Sequence, residues 1–66
     1  MIGTLWKSNF DYICFNEGDL LVVTKYFECK SIGKMFITFT TPQGISSTWR
    51  EEWIARDNKF QRLENK

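Results

Sequence analysis

Apolar residues fall in short blocks separated by polar clusters, and within the blocks they recur every second position, which predicts strands rather than helices. The clearest block is Leu20-Leu21-Val22-Val23-Thr24-Lys25-Tyr26-Phe27, rich in β-branched and aromatic residues. Strict alternation puts Leu20, Val22 and Thr24 on one face and Leu21, Val23 and Lys25 on the other. Apolar residues on both faces predict a strand covered twice near its start, as where a strand curls through a small barrel. Met35–Thr41 is a second strand, with Met35, Ile37 and Phe39 facing a core and Phe36, Thr38 and Thr40 facing out. Thr41-Pro42-Gln43-Gly44 predicts a reverse turn, because Pro presets φ and Gly releases the return strand, Ile45–Thr48. Upstream, Ile2, Leu5 and Trp6 suit a short first strand broken by Ser8-Asn9. Phe10–Phe15 reads as an irregular arm, Asn16-Glu17-Gly18-Asp19 as a turn, and Glu28–Lys34 as the turn between the two strong strands.

The last third changes character. Thr48-Trp49-Arg50-Glu51 matches a capping box, in which Thr caps a backbone amide and Glu reaches back. Trp49 and Trp53, at i and i+4, would then share a helical face over Trp49–Ala55. Asp57-Asn58 reads as a turn, Lys59–Leu63 as a final strand and Glu64-Asn65-Lys66 as a solvated tail. With no repeat or linker in between, residues 1–66 read as one mainly β domain.

Sixty-six residues with 42% hydrophobic and 26% charged positions suit a small globular domain. Lys and Arg number nine against eight Asp and Glu, and the net charge of +1 argues against a strongly electrostatic nucleic-acid or membrane-surface binder. The chain has no histidine, which removes the commonest general base and metal ligand. Cys14 and Cys29, the only cysteines, read as reduced thiols, too few for a zinc site. The first residues show no signal peptide, and no apolar run approaches the length of a membrane span, so a cytoplasmic location is expected.

Composition then shifts attention to the aromatics. Three Trp, two Tyr and six Phe exceed what so short a chain needs to fill a core. Tyr26, Phe36, Trp49 and Trp53 are the candidates for a partner-binding surface, since aromatic side chains dominate interface hot spots. A second candidate set is Arg50, Arg56, Lys59 and Arg62, interleaved with Trp49, Trp53 and Phe60, which suits stacking and phosphate contact with a single-stranded nucleic acid. Glu51, Glu52, Asp57 and Glu64 lie among them and blunt the field, with Glu52–Arg56 as an i, i+4 pair. Glu17/Asp19 and Glu51/Glu52 suit turn and surface roles better than catalysis or metal binding. No catalytic residue, metal or cofactor is expected.

Phe15-Asn16-Glu17-Gly18-Asp19-Leu20-Leu21-Val22-Val23 resembles the diverging turn and second strand of SH3 domains. A helical turn at Trp49–Trp53 before a closing strand is similar to the ending of that fold. The resemblance covers residues 10–63 and implies an SH3-like, five-stranded, partly open β-barrel with one short helical turn before the last strand. Phe10-Asp11-Tyr12 is only a remnant of the usual Ala-Leu-Tyr-Asp-Tyr segment. Met35-Phe36 stands where a Trp would be, and no Pro-x-x-Tyr follows Ile45, so recognition of proline-rich peptides does not carry over. With its size and its Gly3-Thr4-Leu5-Trp6-Lys7 opening, the chain looks more like the short SH3-like accessory proteins of bacteriophages. That resemblance implies a non-catalytic module, monomeric or weakly dimeric, which binds and modulates a host protein in the host cytoplasm.

Overall fold

A computed structural model describes residues 2–63. Five strands and one helix follow in the order β1 (Leu5–Ser8), β2 (Leu20–Cys29), β3 (Lys34–Thr40), β4 (Ser46–Arg50), α1 (Glu51–Asp57) and β5 (Phe60–Arg62). All pairings are antiparallel, and the strands form one sheet in the order β4-β3-β2-β1-β5. β4 and β5 are the two edges, so the sheet curls without closing. The tail Glu64–Lys66, expected in solvent, lies outside the described residues.

The core sits on the inner face. Phe15, Leu21, Val23, Ile37, Phe39, Ile54 and Phe60 are buried there, with Trp6, Phe10, Cys14 and Trp49 packed against them. Phe39 and Phe60 stack with ring centroids 4.7 Å apart, and Trp49 meets Phe60 at 5.2 Å. Each fully enclosed side chain of this size contributes roughly 1.5–3 kcal/mol. Leu20, by contrast, is exposed and Val22 half-buried, so the start of β2 is covered on one face and not two.

Turn chemistry agrees with the residue types. Gly18 at φ 89° and Gly44 at φ 89° take conformations that side chains disfavour, and their turns close through Asp19 N–H to the Asn16 carbonyl and Gly44 N–H to the Thr41 carbonyl. Asn58, at φ 55°, ends α1 in the left-handed conformation.

Two boundaries depart from expectation. Ser8 belongs to β1 rather than breaking it, because its hydroxyl donates to the Asn16 carbonyl at 2.6 Å and its backbone pairs with Phe60. The capping box is not used. Thr48 lies in β4 and shares a 2.9 Å hydrogen bond with the Thr38 hydroxyl across the sheet, while Arg50 occupies the N-cap with no side-chain cap. The helix therefore begins at Glu51, and Trp49 belongs to the strand before it.

An irregularity in β2 decides which way its second half faces. Val22 opposes Thr40 and Val23 opposes Phe39, but the next opposed pair is Lys25 and Thr38, which leaves Thr24 unopposed. Such a bulge shifts the alternation by one residue. Leu21 and Val23 point inward before it, and Tyr26, opposite Ile37, shares the inner face after it.

Candidate functional site

The outer face of β2, β3 and β4 has two chemically distinct parts. Hydroxyls line the first: Thr24 and Thr40 share a hydrogen bond at 2.9 Å, as do Thr40 and Ser46, and Thr38 and Thr48. Paired in this way, the hydroxyls satisfy one another, that of the buried Thr38 included.

Beside that row lies an aromatic and cationic strip. Phe27 and Phe36 are directly opposed in the ladder, and their rings stack at 5.8 Å with only 15° between planes. Arg50 opposes Phe36 on the next strand, and its guanidinium lies over the Trp53 ring at 5.8 Å. Stacking on an aromatic face suits the planar guanidinium and holds it without removing its charge from water. Phe27 and Trp53 are each 42% exposed. At the rim, Lys34 and Glu52 form an ion pair at 3.0 Å. That ammonium holds the Glu52 carboxyl below the usual range, with smaller help from Arg50 and Arg56.

The four aromatic candidates therefore separate. Phe36 and Trp53 belong to this strip. Tyr26 does not, since the bulge turns it to the inner face, where its hydroxyl donates to the Glu51 carboxylate at 3.0 Å. That bond and the neighbouring negative charge raise the phenol's pKa. Trp49 also faces inward, half-buried among Phe10, Tyr12 and Phe60, with its indole N–H satisfied by the Ser47 hydroxyl at 2.9 Å. Phe27 takes the place expected of Tyr26. Strict alternation hid it, and the unopposed Thr24 has no mark in the sequence that separates it from a regular strand residue.

The basic candidates occupy several settings. Arg50 belongs to the strip, Arg56 lies in the last turn of α1 within reach of Glu52, Lys59 sits over the Phe10 ring at 5.2 Å, and Arg62 opposes Trp6 in β5. Glu52 pairs with Lys34 rather than with Arg56 alone, because β3 brings an ammonium to the helix.

Cys14 and Cys29 are both free thiols, and the Ser31 hydroxyl beside Cys29 lowers that thiol's pKa. Among the described residues no group of three or more His, Cys, Asp and Glu side chains could hold a metal ion, and no helix is long and apolar enough to cross a membrane. In comparisons with known proteins, no family model matches the chain, and no curated protein or solved structure matches it either.

Proposed function

We propose that this chain is an SH3-like, partly open barrel that works as a non-catalytic binding module and holds a protein partner against Phe27, Phe36, Arg50 and Trp53. The observation that carries this reading is the exposed aromatic strip itself. A rigid sheet displays stacked rings beside a guanidinium that lies over an indole, and Trp, Tyr and Arg are the side chains most enriched at interface hot spots. The strand order and the helix between β4 and β5 support the SH3-like part. The absence of histidine supports a role by occlusion rather than catalysis. The resemblance to short bacteriophage accessory proteins makes a host protein the proposed partner, met in the host cytoplasm by a monomer or weak homodimer.

The test is affinity capture from host lysate, followed by titration of the purified partner. Phe36→Ser and Trp53→Ser are expected to weaken binding at least tenfold, about 1.4 kcal/mol, with the chain still folded. Equal capture by both variants would overturn the assignment of the surface. The competing reading is a single-stranded nucleic acid held by Arg50, Arg56, Lys59 and Arg62, against which Glu51 and Glu52 count. Oligonucleotide binding that falls steeply with salt would favour it.

A further inference from the structure

We propose that the free edge of β2 beyond the bulge takes an extended peptide from another protein as an added strand, with an acidic side chain of that peptide meeting Lys25. This site goes beyond the aromatic strip, since it uses the backbone edge and shares only Phe27 with the strip.

β2 is ten residues long, yet β1 pairs with it only through Leu20, Leu21 and Val22. Val23 is closed by Thr4 and Gly3, whose carbonyl and amide meet its backbone at 3.1 and 2.8 Å. From Thr24 to Glu28 no further backbone hydrogen bond is made outside the β2–β3 ladder among the described residues. In an antiparallel strand every second residue turns both its N–H and its C=O away from a given neighbour, so this stretch presents unpaired groups along one side. All five residues are exposed, a run found nowhere else in the sheet among the described residues.

A groove of about 420 Å³ runs along this edge, lined by Ile2, Thr24, Lys25, Tyr26 and Phe27. Its walls are mostly apolar, which suits an aliphatic or aromatic side chain of an incoming strand. Lys25 is the one charged residue in the lining and has no ion-pair partner among the described residues. Glu28, farther along the same edge, repels a second carboxylate. The charge order thus directs an acidic residue of the peptide to the Lys25 end and fixes its register. Main-chain bonds supply affinity in this mode of recognition, and alternate side chains supply specificity.

The experiment pans a display library of random dodecapeptides on the immobilised full chain and resynthesises the enriched peptides. Expected are alternating apolar residues with at least one Asp or Glu, and slowed amide exchange between Thr24 and Glu28 in the complex. Lys25→Glu should weaken these peptides at least tenfold, and repeating the selection on that variant should enrich Lys or Arg instead. Trp53→Ser should leave them within twofold, which separates this edge from the aromatic strip. Lys25 is exposed, so an unchanged thermal melt is expected for its variant. Enriched peptides without acidic residues, or with affinities that follow Trp53 and ignore Lys25, would overturn the proposal. A selection that enriches nothing would overturn it too. So would sedimentation showing that the edge is occupied by a second copy of the chain.

Discussion

Ser8 shows how much one small polar side chain holds. It is fully buried, its hydroxyl binds the Asn16 carbonyl, and its own carbonyl accepts from Gly18, so it ties β1 to the turn that launches β2. Ser8→Ala leaves the Asn16 carbonyl without that donor and is expected to cost about 1–3 kcal/mol in urea unfolding. In the sequence Ser8 looks like a strand breaker, since its partner is a backbone carbonyl eight residues away. Glu52 makes a pH-dependent contribution. Its carboxyl is held below its ordinary pKa mainly by Lys34, so its stabilising contribution is present above the unfolded-state pKa and is lost as pH falls through the folded one. Lys34→Met is expected to move the Glu52 pKa up, part of the way to that of a free glutamate because Arg50 and Arg56 remain. An NMR titration of its side-chain carboxyl would read this directly, and an unmoved midpoint would contradict the ion pair.

Single elements show where local patterns lose to tertiary pairing. β2, β3 and the turn at Thr41–Gly44 are legible because β-branched residues, Pro and Gly act through local backbone preferences. The capping box is a local pattern as well, but the Thr38 hydroxyl competes for Thr48 from another strand and wins, which leaves α1 to start on an uncapped Arg50. Arg50→Asn is therefore expected to stabilise the fold by about 0.5–2 kcal/mol through a new N-cap bond. The same variant removes the guanidinium from Trp53, so it should bind the proposed partner more weakly while melting at higher temperature. Higher stability with undiminished binding would place Arg50 outside the interface. Half of the candidate surface was legible for a similar reason. Phe36 follows from plain alternation in β3 and Trp53 from its place in the predicted helical turn, although Trp49 does not share that turn, whereas Tyr26 and Phe27 exchange roles through a bulge that only the β3 register reveals.

At the scale of the whole molecule, the surplus of aromatic residues divides by depth. Phe15, Phe39 and Phe60 fill the core, Trp6, Phe10 and Trp49 cover its open side, Phe36 is half-buried on the outer face, and Tyr12, Tyr26, Phe27 and Trp53 reach solvent. The curled sheet is too small to enclose them all, and an open edge on β2 is the counterpart of a first strand of only four residues. The unopposed Thr24 also leaves the identity of two surfaces to the pairing with β3 and not to chain length. Removing Thr24 would make Val23 opposite Phe39 and Lys25 opposite Thr38 consecutive pairs of a regular ladder, so Tyr26 would stay on the inner face and Phe27 in the strip. Across diverging sequences with this fold, a one-residue gap at that position would therefore leave both surfaces in place, whereas an alignment forced through it without a gap would equate residues that face opposite ways.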